Sequence, residues 1–401
     1  MKQQVLQMRT EIAIELERIL DFWKKETLDE ANGGFYGEIS SSLVVHSEAD
    51  KGLVLNARIL WTYATAYRMF GQESDLSMAE RAFTYLLDNF WDKNYGGLYW
   101  MVSYQGQPVD RRKQIYGQAF AIYAFSELYR ATGNQVALDY AVKLFHLIEE
   151  HSYDTKNQGY FEACSENWGP TENYSLSNID LNEKKSMNTH LHILEAYTNL
   201  YRVWKNDELK LKFTELIEVT MKHIVNPNTF HFHLFFNEEW QVKSDVISFG
   251  HDIEGSWLLY EAAEVLGNHE LTERVKQVAI HMAQAVYEKG IDIDGGLFNE
   301  QDGVGHLDDN KHWWPQAEAI VGFLNAYEMT GQGHFYEAAY RSWRFTDDNI
   351  CDKVNGEWFW MVSRDRKVDL THMKVDAWKC PYHNSRACYE AIERLDRLVL
   401  Q

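Results

Sequence analysis

The sequence has little proline, little cysteine and no long apolar run among its 401 residues. The 5 prolines form no cluster that would mark a linker between domains. The 4 cysteines are scattered without a C-x-x-C pair, which indicates free thiols and a reducing, cytoplasmic environment. The N-terminus lacks the apolar core and cleavage site of a signal peptide. No segment reaches the roughly 18 consecutive apolar residues of a membrane-spanning helix.

Positive charge is also scarce, because 39 Lys and Arg face 60 Asp and Glu and leave a formal net charge of -21. This excess of negative charge argues against binding to nucleic acid or to anionic membranes. Aromatic residues are abundant, at 14% of the chain, and their flat rings suit a carbohydrate partner. We therefore expect a neutral or cationic small-molecule ligand, and the sequence leaves open whether the protein is a monomer or a homodimer.

A short glycine–aromatic signature recurs six times at nearly even spacing. Its starts are separated by 63, 63, 72, 64 and 61 residues, and the fourth copy has lost its glycine. A period that persists along the whole chain predicts one repeated architecture, and hence a single domain over residues 1–401. The copies are GGFYGE (Gly33–Glu38), GGLYWMV (Gly96–Val102), GYFEA (Gly159–Ala163), HFHLFF (His231–Phe236), GGLFNE (Gly295–Glu300) and GEWFWMV (Gly356–Val362).

Between the signatures, apolar residues recur at the three- and four-residue spacing of helices. Gly71, Gly133, Gly267 and Gly331 stand where helix C-caps belong. Each unit is therefore predicted as two helices followed by the signature. Six such hairpins that close on themselves form an all-α (α/α)6 barrel, with short β-strands gathered at one end. A helical solenoid is the alternative, but it needs polar capping repeats, and the last unit is not cap-like.

Candidate functional residues lie near the starts of several predicted helices. Arg58 interrupts an apolar stretch, where a lone arginine is costly unless it has a polar role. Asn188 and His192 are four residues apart and share a helix face. His251 and Glu254 are three apart, so we expect the carboxylate to lie beside that imidazole and to raise its basicity. Further candidates of this kind are Trp313, Trp314, Glu318, Trp378 and His383.

Each of these residues also has a purely structural interpretation. A helical histidine is more often a hydrogen-bonded structural residue than a catalyst, and Arg58 could pair with a buried acid. The H-x-H pairs at His190/His192 and His231/His233 could suggest zinc. No third ligand or H-E-x-x-H pattern accompanies them, so we expect no metal. Histidines at equivalent helix ends in at least three repeats favour a shared site at one mouth of a barrel.

Five segments, in order, carry a resemblance to a known family that runs from about Glu15 to Arg394. They are ADKGLVLNARILW (Ala49–Trp61), MNTHLHILEAY (Met187–Tyr197), GHDIEGSW (Gly250–Trp257), WWPQAEAIVGFLNAY (Trp313–Tyr327) and WKCPYHNSR (Trp378–Arg386). Together they resemble the N-acylglucosamine 2-epimerase superfamily, and within it the cellobiose 2-epimerases. The resemblance implies an (α/α)6 barrel and an isomerase that needs no metal, nucleotide or redox cofactor.

The resemblance further implies epimerisation at C2 of the reducing-end glucose of β-1,4-linked disaccharides such as cellobiose, lactose or mannobiose. The sugar ring opens to an aldehyde, the C2 proton is removed to give an enediolate, and a proton returns to the opposite face. By resemblance, His251 and His383 are the acid/base pair, and His192 binds near the C1 and C2 oxygens. Arg58 would stabilise the enediolate, and Glu254 would tune His251. Substrate contacts or support are implied for Tyr116, Asn188, Trp313, Trp314, Glu318 and Trp378.

Other functions remain open from the sequence. Within the superfamily, the alternatives are N-acyl-D-glucosamine 2-epimerase and a mannose isomerase that moves the proton from C2 to C1. An inverting glycosidase also uses this barrel, but it needs two carboxylates roughly 6.5–9.5 Å apart, and the recurring residues here are histidines. A non-catalytic glycan-binding protein would explain the tryptophans but not the pair of histidines.

Overall fold

The computed structural model describes residues 2–400, which contain twelve α-helices and fourteen short β-strands. The helices are α1 (Lys2–Glu26), α2 (Leu53–Phe70), α3 (Glu73–Tyr85), α4 (Ile115–Thr132), α5 (Gln135–His151), α6 (Met187–Val203), α7 (Asp207–Val219), α8 (Phe249–Leu266), α9 (His269–Lys289), α10 (Trp313–Thr330), α11 (Gly333–Phe345) and α12 (Tyr382–Leu400). Helices α3, α7 and α11 each continue into a π-helical turn, at Leu86–Phe90, Thr220–Ile224 and Thr346–Ile350 respectively.

The strands have two or three residues each. They are β1 (Ile39–Ser40), β2 (Lys51–Gly52), β3 (Met101–Val102), β4 (Pro108–Asp110), β5 (Lys113–Gln114), β6 (Ala163–Cys164), β7 (Lys185–Ser186), β8 (Phe235–Phe236), β9 (Ile247–Ser248), β10 (Glu300–Gln301), β11 (Leu307–Asp308), β12 (Lys311–His312), β13 (Met361–Val362) and β14 (Met373–Val375).

The even-numbered helices form a closed inner ring, in which each packs against the next and α12 packs against α2. Each inner helix also packs against its own outer partner, and α8 and α10 contact a second outer helix as well. This closure confirms the (α/α)6 barrel, and the solenoid alternative is wrong. The hairpins differ from the prediction in one respect. Five pairs are consecutive hairpins, but the sixth consists of α12 and α1, so the two ends of the chain close the ring.

Burial separates the two rings of helices. In α4 every residue from Ile115 to Leu128 is buried, because other helices cover it on all sides. In the outer helix α5, the buried residues are one or three positions apart and form a single stripe. The inner helices α2, α4, α8 and α10 end at the four predicted glycines, each in a left-handed conformation.

Small antiparallel sheets connect neighbouring repeats at the N-terminal end of the inner helices. The strand that precedes each of five inner helices pairs with a strand from the next repeat, as β2 does with β3 and β5 with β6. In the first of these pairs, Lys51 lies opposite Val102 and Gly52 opposite Met101. β1 pairs with β14 and so joins the first repeat to the last. The predicted strands at one end of the barrel are therefore confirmed.

A buried Lys–Asp pair holds this end of the barrel in five of the six repeats. Each aspartate begins the turn before a signature, and each lysine precedes an inner helix. The pairs are Asp29–Lys51 (2.8 Å), Asp92–Lys113 (2.7 Å), Asp154–Lys185 (2.8 Å), Asp292–Lys311 (2.7 Å) and Asp352–Lys374 (2.6 Å). The fourth repeat, whose signature is the weakest, has Asn226 and Ile247 at these positions. Both the aspartate and the lysine are replaced by uncharged residues in this repeat, so neither position holds an unpaired buried ion.

A second repeated device is a buried polar side chain at the fourth residue of four inner helices. Gln118, His190, Asp252 and Gln316 each accept a hydrogen bond from a backbone N–H of the signature, at 2.8, 2.9, 2.7 and 2.6 Å respectively. Because a buried N–H needs a partner, these side chains fix each signature to its helix. His190 is thus one member of a structural series.

The cysteines and the helix lengths agree with the sequence analysis. All four cysteines are free and buried. None of the described helices is both long and apolar enough to cross a membrane.

Candidate active site

A cavity of about 440 Å³ opens among the N-terminal ends of the inner helices. All six inner helices contribute to its wall: Arg58 from α2, Tyr116 from α4, Asn188 and His192 from α6, His251 and Glu254 from α8, Trp313 and Trp314 from α10, and His383 from α12. Trp360, Trp378 and the segment Leu176–Asp180 complete it. The volume falls in the range of about 300–1,000 Å³ that is usual for small-ligand sites. The barrel therefore brings these candidates together.

Arg58 is a buried cation without an acidic partner. The residue is 3% exposed, and its guanidinium donates to the Tyr116 hydroxyl at 2.8 Å and stacks 4.3 Å from the Phe120 ring centroid and 4.7 Å from that of Tyr382. It forms no ion pair with any described residue, so the structure excludes the buried-acid interpretation. A buried positive charge that lines a cavity without a counterion favours a ligand on which negative charge develops.

Two histidines of the cavity wall have their orientation fixed by a carboxylate. His192 Nδ1 lies 2.9 Å from Glu195, and His383 Nδ1 lies 2.7 Å from Glu318. A carboxylate can only accept, so Nδ1 carries the proton in both rings and Nε2 keeps its lone pair. Neither Nε2 atom has a hydrogen bond to a described residue. Both rings can therefore act as bases toward a molecule in the cavity.

His251 has a different partner and shares a tryptophan with His383. Its Nδ1 lies 2.8 Å from the Ser248 hydroxyl. The Trp314 ring contacts both histidines, with centroid distances of 4.6 Å to His251 and 5.6 Å to His383. This packing requires Gly250, because a Cβ there would lie 2.5 Å from the Trp314 ring. Two imidazoles from different repeats thus contact one aromatic ring.

Burial favours the neutral form of all three imidazoles. Burial, aided by the neighbouring His192, lowers the pKa of His251 to about 3. Burial and Arg58 lower the pKa of His383. The pKa of His192 is also lowered by burial, although Glu195 partly offsets the effect. Neutral imidazoles are the form that accepts a proton from a carbon acid.

Arg386 connects the carboxylates below the cavity. Its guanidinium is 1% exposed and donates to Glu195, Glu254 and Glu318. Burial alone would raise the pKa of Glu195, but Arg386 and His192 outweigh it and hold that pKa at about 2. Burial and Glu318 instead raise the pKa of Glu254 to about 8. Because Glu254 and Glu318 share one cation, the pair retains a proton near neutral pH, and the raised pKa of Glu254 places that proton on Glu254, so that Glu318 stays ionised beside His383.

The residues present do not favour a metal ion. Ligand atoms of Glu254, Glu318 and His383 lie within 4.8 Å of one another, a spacing that could hold a cation. Arg386 already donates to both carboxylates, and the His383 atom involved is bonded to Glu318. In the H-x-H pair, His190 contacts the Ser186 carbonyl oxygen at 2.6 Å through Nδ1 and accepts from the Tyr160 N–H through Nε2. Its lone pair is occupied, so the zinc interpretation is wrong for His190.

Comparison with known proteins identifies the family. Residues 34–387 match the family described as N-acylglucosamine 2-epimerase (GlcNAc 2-epimerase). The chain belongs to this family. It is 46% identical over 376 residues to a cellobiose 2-epimerase of Bacteroides fragilis, covering 94% of this chain and 96% of that one.

Solved structures of similar proteins agree with this placement in the N-acylglucosamine 2-epimerase family. The cellobiose 2-epimerase of Bacillus thermoamylovorans B4167 superposes with a TM-score of 0.92 at 40% identity, covering 98% of this chain and 100% of that chain. A D-mannose isomerase superposes with a TM-score of 0.85 at 21% identity, covering 96% and 97% of the two chains. At that identity the second match supports the fold alone.

The structure places two of the predicted site residues differently from what their sequence spacing suggested. Glu254 was expected beside His251, but its Oε1 accepts from Arg386 and lies 3.9 Å from His383 Nδ1. Residues 251 and 254 share a helix face, yet Glu254 lies one turn further into the barrel, where α12 supplies the cation. Glu318 was expected as a substrate contact or a supporting carboxylate; it does not line the cavity but bonds His383, so of the two only the supporting position fits the structure.

Several residues of the site were missed in the sequence. Arg386 lies three residues after His383, and Glu195 three residues after His192, so the i, i+3 rule on one helix could have found both. Ser248 directly precedes the helix that carries His251. The segment Leu176–Asp180 carries no local signal, because it reaches the cavity only through the path of a long loop.

Proposed function

We propose that this protein is a cellobiose 2-epimerase, a carbohydrate isomerase that inverts C2 of the reducing-end glucose of β-1,4-linked disaccharides. Cellobiose, lactose and mannobiose are the substrates to test first. The names of the relatives at 38–46% identity support this function. The whole chain acts as one catalytic domain and requires no metal, nucleotide or redox cofactor, since the reaction only moves a proton.

The observation that carries the proposal is the unpaired Arg58 guanidinium in the same cavity as two imidazoles from different helices. Epimerisation must stabilise an enediolate and must reach C2 from both faces. Arg58 supplies the charge for the enediolate oxygen. His251 and His383 supply two groups that can exchange a proton with C2.

The proton balance follows from these roles. In the substrate complex one imidazole is neutral and the other has taken up a proton, because the negative charge that develops on the sugar offsets the effect of burial on that imidazole. The neutral imidazole takes the C2 proton at Nε2, and the electron pair of that C–H bond passes through C1–C2 to the aldehyde oxygen, beside Arg58. The protonated imidazole then gives its Nε2 proton to the opposite face of C2. The two histidines exchange protonation states in each turnover.

The other residues of the wall provide support for the sugar. His192 and Tyr116 lie near Arg58 and are placed to bind the C1 and C2 oxygens. The Asn188 Oδ1 atom has no hydrogen-bond partner among the described residues, which suits a sugar hydroxyl. Trp314 and Trp378 present rings on which apolar sugar faces can stack. Trp313 is only 4% exposed and packs 4.5 Å from Trp360, so it supports the wall more than the ligand.

The bonding and position of the carboxylates argue against the glycosidase alternative. Glu254 and Glu318 both bond Arg386, and Glu318 is outside the cavity wall. The two acids among the described residues of the wall are Glu254 and Asp180. Each already accepts a hydrogen bond, from Arg386 and from the Ser177 hydroxyl respectively, so they do not form the free pair that a glycosidase needs.

The experiment is turnover of cellobiose by the purified protein in heavy water, with products separated by chromatography and analysed by NMR. The proposal expects a glucosyl-mannose epimer with deuterium at C2. A ketose as main product would indicate an isomerase, monosaccharides would indicate a glycosidase, and no reaction would indicate a binding protein. N-acetylglucosamine tested in parallel distinguishes the other epimerase of the family.

A further inference from the structure

Ser248 is the N-cap residue of α8 but does not cap its helix. Its side chain makes no hydrogen bond to a backbone N–H of the first turn. The hydroxyl instead lies 2.8 Å from Nδ1 of His251, the third helical residue, and Ser248 is 1% exposed. N-cap serines usually accept a hydrogen bond from the second or third N–H of the helix. Here that interaction is given up in favour of an imidazole.

The neighbouring repeat contains a matched serine with the ordinary role. Ser186 is the N-cap of α6, in the same position of the repeat, and its hydroxyl accepts from the Thr189 N–H at 3.1 Å. Thr189 and His251 are both the third residue of their helices. The two serines therefore differ in the partner of the hydroxyl, which is a backbone amide in one repeat and a catalytic imidazole in the other.

The three cavity histidines thus have two kinds of partner at Nδ1. His192 and His383 are bonded to carboxylates, and His251 is bonded to a neutral hydroxyl. Because the hydrogen bond at one ring nitrogen fixes the tautomer and the orientation of the ring, each partner sets the direction of Nε2. Three carboxylates already surround Arg386, and a fourth beside His251 would oppose the negative charge of an enediolate.

We propose that Ser248 is the positioning residue of His251, holding Nδ1 by a neutral hydrogen bond so that Nε2 faces one side of C2. This inference rests on the proposed function. Ser248 accepts from the Nδ1–H when His251 receives the C2 proton, and keeps the same bond while His251 is protonated and returns a proton to C2. His383, held by Glu318, serves the other side independently of Ser248.

Loss of the hydroxyl should then disable one face of C2 and spare the other. In Ser248→Ala, the epimer whose C2 proton faces His383 still loses it and still regains a proton from that side. That epimer should exchange C2 hydrogen with heavy water without being converted. The opposite epimer, whose proton faces His251, should lose exchange and conversion together.

The experiment compares Ser248→Ala, Ser186→Ala and the unmutated protein, starting separately from the glucose-ended and the mannose-ended disaccharide in heavy water. C2 deuterium in remaining substrate and in product is measured by NMR, with kcat and KM for each direction. We expect kcat of Ser248→Ala to fall about 10- to 100-fold, with little change in KM. The ratio of C2 hydrogen exchange to conversion should rise only when the reaction starts from the epimer whose C2 proton faces His383.

Ser186→Ala is the matched control. It removes a capping hydrogen bond, so it should lower the melting temperature more than Ser248→Ala does, yet leave kcat and the exchange ratio unchanged. The inference is overturned if Ser248→Ala keeps kcat, or if exchange and conversion fall by one factor from both epimers. Absence of C2 exchange in the unmutated protein would instead refute the proposed function itself.

Discussion

Replacement of Glu318 by glutamine tests how the buried carboxylates act on the reaction. Glu318 is 0% exposed and accepts three hydrogen bonds: from His383 Nδ1 at 2.7 Å, from Arg386 at 2.6 Å and from Trp257 at 3.1 Å. Glu318→Gln keeps the shape but removes the charge that stabilises the His383 imidazolium. A hydrogen bond to a charged group contributes about 1.5–3 kcal/mol. At about 1.4 kcal/mol per tenfold change in rate, kcat should fall roughly 10- to 150-fold.

The same variant should remain folded. An amide has one acceptor oxygen, so at least one of the three donors loses its partner, at a cost of about 1–3 kcal/mol in unfolding free energy. The larger loss of about 3–5 kcal/mol for an orphaned buried ion is not expected, because Arg386 keeps Glu195 and Glu254. Urea unfolding followed by fluorescence measures this quantity.

Glu328→Gln is the control for this experiment. Glu328 lies on the same helix, α10, and binds Arg394 and Arg397 away from the cavity. Its replacement should reduce stability by about 1 kcal/mol or less and leave epimerisation unchanged. Our account of Glu318 fails if Glu318→Gln is folded and its kcat stays within about threefold of the unmutated value.

The remaining predictions concern catalysis, specificity and stability. His383→Asn should lower the rate of epimerisation by about 10²–10⁴-fold with a normal melting temperature. As a control, replacement of the exposed His306 by alanine should leave the rate unchanged. If His383→Asn and the unmutated protein have equal rates, His383 is structural. Trp378→Ala should reduce kcat/KM for cellobiose more than for glucose, and an equal loss on both would remove this ring from the disaccharide site. Prolonged chelation should leave activity intact, and restoration of lost activity by a single metal ion would contradict this. Lys113→Met leaves its aspartate partner buried and unpaired, so urea unfolding should show a loss of about 3–5 kcal/mol; a loss below about 1 kcal/mol would contradict it.

The buried Lys–Asp pairs also predict how the stability of the protein depends on pH. Burial alone would raise the pKa of Asp92, but Lys113 and the backbone N–H groups of Asn94 and Tyr95 hold it below its usual value. A depressed carboxyl pKa stabilises the fold above the unfolded-state value of about 3.9 and loses that contribution as pH falls below it. Stability should therefore decline steeply below about pH 4, and a flat profile there would contradict this role.

Much of the architecture could be predicted from the sequence, because its signals are local. The signature and the apolar periodicity repeat within each unit, and a repeated unit that cannot bury its own apolar face must pack against copies of itself. The candidates near helix starts follow from the same regularity, since equivalent positions of a closed barrel meet at one end. The closed ring of inner helices, and the glycines at the C-terminal ends of four of them, confirm the predicted fold. The roles of individual site residues stay predictions until they are tested by substitution.

Only the tertiary structure decided which side chains are partners. The i, i+3 spacing placed Glu254 with His251, but closure of the ring sets α12 against α10 and brings Arg386 between carboxylates from three helices. Arg58 could have paired with a buried acid, and among residues 2–400 the fold gives it none. His190 and His192 are alike in sequence, and only the position of the signature makes the first structural. Sequence spacing fixes which face of a helix a residue occupies, whereas the partner at that face comes from a helix 65 to 191 residues away.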